Sequence, residues 1–209
     1  MIDVQTNNIT TDFAFAWYKR VEYIESTWSQ YIDSLYKPNY NSKIYVKFAH
    51  NEHVLDTPVF GARTSNSQHA FILWSHPSNY SWWTWKSQTL FNDTKKENIT
   101  WYSEWTIIEF QYDKNWWYYN NTTRTRSTSS WTPNVNLAIF GLRQWSSIDN
   151  RKFSWKMRKF TIRENDTIVR DLYPVYRKSD NVIWMLDIVN KVFYTNSWSG
   201  SFTKWPDIN

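Results

Sequence analysis

The sequence predicts an all-β fold in which two antiparallel sheets pack face to face, as in a sandwich or jelly roll. Apolar and polar residues alternate with a period of two along many short segments, which is the pattern of half-buried strands. No segment keeps an apolar stripe at helical spacing for three turns. Asn, Asp, Ser or Pro separates the segments, and many short strands with such breaks are typical of two-sheet folds.

The predicted strands begin with residues 43–48, where Ile44, Val46 and Phe48 share one face. Residues 105–113 alternate in the same way, and the later segments are rich in β-branched and aromatic residues. These later segments are residues 134–142, 156–163, 167–177, 181–187 and 191–195. The side chains that we expect in the core are Ile44, Val46, Phe48, Phe110, Leu137, Ile139, Phe160 and Ile162.

Composition favours one domain that needs no covalent or metal support. The 209 residues contain no linker-like segment, and a chain of this length buries enough surface to fold without disulfides. There is no cysteine, and no basic segment followed by an apolar run begins the chain, so we expect a soluble protein without membrane insertion. The net charge of +5 is scattered except at residues 151–159, which we interpret as a strand with one solvated face. Nucleic acid is therefore not an expected partner.

Clustered aromatic residues are the candidate ligand site, because exposed aromatic rings stack on sugars. They fall in two sequence clusters near residues 80 and 117. The candidate ligand-binding residues are Trp74, Tyr80, Trp82, Trp83, Trp85, Tyr118 and Tyr119. Trp116 is a weaker candidate, because it follows Lys114-Asn115 at an expected hairpin tip where Asn-Gly is the favoured turn.

Ordered segments at both ends of the chain resemble a known family. The opening segment, residues 18–27, reads YKRVEYIEST, and QYID follows at residues 30–33. Further matching segments are VFGAR at 59–63, TIIEF at 106–110, VRDLYPVYRKSD at 169–180, MLDIVN at 185–190 and FYTN at 193–196. Together they resemble concanavalin A-like, laminin G-like jelly-roll domains of phage structural proteins and of bacterial surface proteins.

The resemblance implies a jelly-roll domain over residues 18–209, preceded by an arm at residues 1–17 that docks on other virion proteins. It further implies a non-catalytic head-fibre, tail-fibre or decoration protein on the virion surface that adheres to glycans. An adhesin module on a bacterial cell surface and a purely structural capsid decoration protein remain alternatives, and a homo-oligomer is left open. Because an unattached terminal segment stays disordered, we expect the arm to become ordered by docking.

The same fold also contains glycosidases, but their Glu-x-Asp-x-x-Glu signature is absent. Glu109 and Asp113 share a predicted strand face, yet four residues at about 3.3 Å each separate them by more than glycoside hydrolysis uses. No catalytic residue is therefore predicted. The histidines His50, His53, His69 and His76 are expected in exposed loops. No cofactor is expected. Calcium occurs in laminin G-like relatives and Asp33, Asp56 or Asp93 could bind it, but these residues lack the spacing of a calcium loop.

Tryptophan replaces glycine at several positions of the family pattern. The chain has 16 Trp and 3 Gly, where average usage would give about 15 Gly. We hypothesise that UGA codons read as tryptophan here are read as glycine in the source organism; a truly tryptophan-rich lineage is the alternative. Under the first hypothesis the turn positions Trp28, Trp184, Trp198 and Trp205 should have positive φ or idle exposure, whereas Trp74 should pack properly.

Overall fold

A computed structural model describes residues 16–50, 57–64, 70–77, 85–91, 96–102, 106–113, 116–119, 122–125, 133–149 and 154–208. For residues 50, 74–77, 85–91, 96–102, 112, 116–119 and 122–125 only the backbone is described. Within these ranges the chain forms nineteen strands, numbered here in chain order, and no helix. None of the described segments thus provides an apolar helix of membrane-spanning length.

The larger sheet is antiparallel throughout. Its main path is β11 (Thr122–Thr125), β10 (Trp116–Tyr119), β9 (Ile108–Tyr112), β4 (Ser42–His50), β15 (Trp155–Glu164), β16 (Thr167–Arg177), β17 (Ile183–Asp187) and β18 (Val192–Tyr194). Three short strands extend it: β1 (Tyr18–Arg20) pairs with β16, β2 (Ile24–Glu25) with β15, and β19 (Thr203–Lys204) with β2. The first and last segments of the described chain therefore lie in the same sheet.

The smaller sheet has one parallel pair, between β13 and β5. Its main path is β14 (Ser147–Ile148), β13 (Arg143–Gln144), β5 (Thr57–Arg63), β6 (Ala70–Pro77), β7 (Trp85–Phe91) and β8 (Lys96–Tyr102). Two further strands branch from this path at β5: β12 (Ala138–Ile139) pairs with β5, and β3 (Ile32–Asp33) pairs with β12.

The core lies between the two sheets, and the fold is a β-sandwich as predicted. All eight side chains expected in the core are buried. Phe60 of β5 meets Phe160 of β15 edge to face, with ring centroids 5.3 Å apart. Full burial of each such ring stabilises the fold by roughly 1.5–3 kcal/mol, so the alternating strands supply the main driving force for packing.

One predicted strand is shorter than expected. Residues 134–142 were expected to alternate, but only Ala138–Ile139 form a strand, and Leu137 to Phe140 are all buried. The backbone of Phe140 has φ +64°, which ends the extended conformation, while its N–H donates to the Val59 carbonyl. The local turn therefore overrides the alternating pattern.

Two hairpins have two-residue turns that differ in backbone conformation. Asn165 and Asp166 join β15 to β16, and both have positive φ, as type I′ turns require. Trp145 and Ser146 join β13 to β14, and of these two only Trp145 has positive φ, at 52°. This is the arrangement of a type II′ turn, whose first central residue is normally Gly.

The four tryptophans expected at glycine-like positions behave differently from one another. Trp28 has φ +77° and is 45% exposed, which confirms the prediction for this residue. Trp198 is exposed without positive φ. The prediction is wrong for Trp184, which lies inside β17 half-buried against Phe193. It is also wrong for Trp205, whose ring stacks on another aromatic residue.

Candidate functional site

The structure describes only part of the aromatic set predicted from the sequence. Tyr80, Trp82 and Trp83 lie outside the described residues, and the remaining four are described by their backbone alone. Trp74 in β6 and Trp85 in β7 belong to the smaller sheet. Tyr118 and Tyr119 in β10 belong to the larger sheet, opposite Gln111 and Phe110 of β9. The four described members of the set are therefore divided between two sheets.

The outer face of the larger sheet carries a different set of aromatic and charged residues. Phe160 and Leu172 are paired across β15 and β16, and both lie in the core. Because side chains alternate along a strand, Lys159, Thr161, Asp171 and Tyr173 lie on the opposite face. The Thr161 hydroxyl donates to Asp171 at 2.7 Å, which confirms that these neighbours share the outer face.

One half of this outer face, on β4 and β9, is a ladder of ion pairs. Lys47 Nζ lies 2.7 Å from Glu109 Oε1, and Lys43 Nζ lies 3.5 Å from Asp113 Oδ2. The Lys43 ammonium also contacts Asp166 and holds the pKa of that carboxyl below its usual range. Glu109 and Asp113 are thus each paired with a different lysine. Asp113, which directly follows β9, is only 2% exposed and lies against Lys43.

The other half of the outer face is aromatic and basic, and its first group is centred on Tyr23. Trp205 stacks on Tyr23 with ring centroids 5.9 Å apart and remains 48% exposed. Lys156 Nζ lies 4.8 Å from the Tyr23 centroid and 5.5 Å from that of Trp205, and the Arg158 guanidinium lies 5.3 Å from Tyr23. The Trp205 indole N–H donates to Glu25 at 3.3 Å.

Burial governs the ionisation of this first group. It lowers the pKa of the Lys156 ammonium, while the neighbouring Glu25 carboxylate acts in the opposite direction. Burial, together with Glu25 and Glu22, raises the pKa of Tyr23 to about 12. The Tyr23 hydroxyl therefore stays protonated into the alkaline range, and it can donate a hydrogen bond.

The second group is centred on Tyr173 of β16. The Arg20 guanidinium lies 4.6 Å from the ring centroid, and Lys159 Nζ lies 4.5 Å from it. Lys159 also donates to the Tyr173 hydroxyl and lies 3.4 Å from Asp171. The pairing of β1 with β16 brings Arg20 to this position from the start of the described chain.

The third group is a cluster of rings at β17 and β18. Tyr18 stacks on Phe193 with centroids 4.0 Å apart, and Trp184 meets Phe193 edge to face at 5.4 Å. The Arg177 guanidinium lies 5.1 Å from the Trp184 ring and is paired with Asp180. All three rings are partly exposed.

These three groups together are called the aromatic–basic face below. Aromatic rings offer flat apolar surface to the C–H groups of a sugar, and charged side chains donate to or accept from its hydroxyls. The sequence reasoning missed this face because its members come from both ends of the chain. The available signal was the repeated ring-plus-cation composition of residues 18–23 and 173–184, which strand pairing alone brings together.

Few of the candidate metal ligands lie in the described part of the chain. His50 and His76 lie in strands β4 and β6, which corrects the expectation of loop positions; His53, His69, Asp56 and Asp93 lie outside the described residues. Asp33 is occupied by protein donors: it accepts from the Leu35 N–H at 2.9 Å and from Arg143 at 2.7 Å. Among described residues, no three His, Asp or Glu side chains are arranged to hold a metal ion.

Neither a protein-family model nor a curated protein matches this chain. The class of protein that the structure defines is an all-β sandwich with aromatic and basic side chains gathered on the outer face of its larger sheet.

Proposed function

We propose that this protein is a non-catalytic adhesion module that binds surface glycans through the aromatic–basic face. The observation that carries the proposal is the stacked pair of Tyr23 and Trp205, with Lys156 and Glu25 at its rim. The outer faces of sandwich sheets are ordinarily polar and solvated, as the β4–β9 half of this sheet is. Partly exposed rings on such a face are typical of a binding surface.

Charged groups beside the rings support a sugar as ligand. Glu25 offers a carboxylate acceptor, and Lys156 offers ammonium donors within a few ångströms of an exposed ring. A pyranose presents an apolar face and a rim of hydroxyls, so both kinds of contact are used at once. The face keeps Tyr18, Tyr23, Tyr173 and Phe193 even if glycine occupies some tryptophan positions in the native protein.

We further propose display on a phage particle, in a jelly-roll domain of the concanavalin A-like type, with residues 1–17 docking on other virion proteins. Two backbone hydrogen bonds hold the first and last segments of the described chain on the same sheet, so a particle could be contacted from that one side of the domain. The Lys178 N–H donates to the Trp17 carbonyl, and the Ile208 N–H donates to the Arg20 carbonyl. A bacterial surface adhesin and a decoration protein without a ligand are the alternatives. Display in many copies would multiply a weak affinity per site.

The test is glycan binding by matched tryptophan variants. Trp205→Ala should weaken binding to an immobilised glycan by about tenfold, because it removes one stacking contact worth about 1–1.5 kcal/mol. Trp145→Ala is the control, since Trp145 is equally exposed but lies in a turn of the smaller sheet. Both variants are screened on a glycan array and then measured by biolayer interferometry. Equal loss in both variants, or no binding of any glycan by the parent protein, would contradict the proposal.

A further inference from the structure

The cations of the aromatic–basic face differ in how their charge is balanced. Arg158 is paired with Glu22, Lys159 with Asp171, and Arg177 with Asp180. Lys156 lies opposite Glu25 in the pairing of β15 with β2. Arg20 has no carboxylate within ion-pair distance in the part of the chain that is described, unlike Arg158, Lys159 and Arg177; its contact is the Tyr173 ring at 4.6 Å.

Arg20 is also held in place and open to solvent. Its backbone is fixed by the pairing of β1 with β16 and by the N–H that Ile208 donates to its carbonyl. Its guanidinium rests over Tyr173 while the residue as a whole is exposed. A guanidinium stacked on a ring keeps its planar fork of N–H donors free for a ligand.

On the basis of the function proposed above, we infer that the ligand is an acidic polysaccharide whose sugar carboxylate binds Arg20. The guanidinium fork matches a planar carboxylate in a bidentate arrangement, which neutral hydroxyls do not reproduce. Lys159 adds a second cation on the same ring at 4.5 Å. The neighbouring Trp205 ring, which is 48% exposed and is backed by the buried Tyr23, then stacks on another sugar of the same chain. Arg20 thus recognises the charge, and Trp205 provides the stacking surface.

The test compares three polymers: polygalacturonate, which carries carboxylates, dextran, which is neutral, and dextran sulfate, which carries sulfates. The parent protein should bind polygalacturonate about tenfold more tightly than dextran, as expected for one charge-assisted bidentate contact. Arg20→Ala should remove this preference by lowering polygalacturonate binding to about the level of dextran binding. Arg20→Lys, which keeps the charge but loses the fork, should fall between the parent and Arg20→Ala.

Arg163→Ala is the matched control. Arg163 lies on β15, where its guanidinium donates to the Asp166 carbonyl, and it carries the same charge as Arg20. This variant should bind polygalacturonate within about twofold of the parent, because surface charge alone contributes little at physiological salt. Melting curves of all variants show whether the fold is intact. If Arg20→Ala fails to fold, the Arg20→Lys comparison decides.

Several outcomes would overturn the inference. Tighter binding of dextran sulfate than of polygalacturonate, or equal losses in Arg20→Ala and Arg163→Ala, would indicate simple ion exchange, as would comparable binding of single-stranded DNA. If Arg20→Lys binds polygalacturonate as tightly as the parent, the bidentate guanidinium contact is refuted. Equal binding of dextran and polygalacturonate that still depends on Trp205 would refute the acidic ligand and leave the adhesion function intact. Absence of binding to all three polymers would refute the acidic ligand, and the glycan array then decides whether the adhesion function stands.

Discussion

Tryptophan residues occupy two kinds of position in this protein. Trp155 is completely buried and packs edge to face on Phe48, with centroids 5.2 Å apart, so it fills space that a smaller residue would leave empty. Trp28 and Trp145 instead sit at positive φ with half-exposed rings. A bulky residue in this conformation is strained by about 1–3 kcal/mol, whereas glycine adopts it freely. The structure thus separates space-filling tryptophans from those in glycine-like geometry.

Replacing Trp145 by glycine should therefore stabilise the protein. Trp145→Gly is expected to raise the free energy of unfolding by about 1 kcal/mol, because relief of the turn strain exceeds the entropy cost of glycine. Urea denaturation of the purified domain measures this change. Trp184→Gly is the control: Trp184 lies inside β17 against Phe193, so its replacement should lower the free energy of unfolding.

A loss of stability in Trp145→Gly would remove the structural support for glycine at this position. The intact mass of the protein from its native source then distinguishes the two explanations. A mass that requires fewer than 16 Trp supports reading of UGA as glycine. A mass equal to the written sequence establishes a tryptophan-rich lineage and strengthens the candidacy of the aromatic clusters near residues 80 and 117.

At the scale of elements, the turn between β17 and β18 is organised by one buried carboxylate. Asp187 is fully buried, and its carboxylate accepts from the backbone N–H groups of Asp171 at 3.1 Å and Val189 at 3.0 Å. It also accepts from the side-chain amide of Asn190 at 2.6 Å. The segment MLDIVN therefore has a physical role, because its Asp and Asn close the turn and tie it to β16.

Removal of this carboxylate should destabilise the larger sheet. Asp187→Ala leaves the buried Asp171 N–H and the partly buried Val189 N–H without this acceptor, and we expect a loss of about 3 kcal/mol in the free energy of unfolding. Asp180→Ala provides the comparison, since Asp180 lies in the exposed turn before β17 and pairs with Arg177. That exposed pair should contribute about 1 kcal/mol or less. Equal losses in the two variants, measured by thermal and urea unfolding, would contradict the proposed role of Asp187.

At the same scale, the hydrophobic pattern of the sequence predicts some strands correctly and others not. The alternation at residues 43–48 and 105–113 predicted which side chains of β4 and β9 enter the core, because a period of two follows directly from strand geometry. The pattern at residues 134–142 predicted a longer strand than β12, since the positive φ of Phe140 depends on tertiary contacts. Local sequence cannot encode a turn that is stabilised by the distant Val59 carbonyl.

At the scale of the whole molecule, the two-sheet architecture was predictable but the candidate site was not. The fold class follows from the number and pattern of short strands. The aromatic–basic face requires the pairing of β1 with β16 and of β2 with β15 and β19, which joins the two ends of the chain. The sequence instead predicted a site at aromatic clusters that are contiguous in the chain, such as Tyr118 and Tyr119. Long-range pairing, rather than local composition, decides where the rings gather.

The central claim is that ligand binds on the outer face of the larger sheet. Indole N–H resonances of ¹⁵N-labelled protein, followed during titration with polygalacturonate, test this claim most directly. We expect the signal of Trp205 to shift, because its ring is the exposed ring of the first group, while the signal of Trp145 on the smaller sheet stays unchanged. Variants that lack one tryptophan assign the two signals. A shift of Trp145 without a shift of Trp205 at saturation would contradict the account and place the ligand on the opposite sheet.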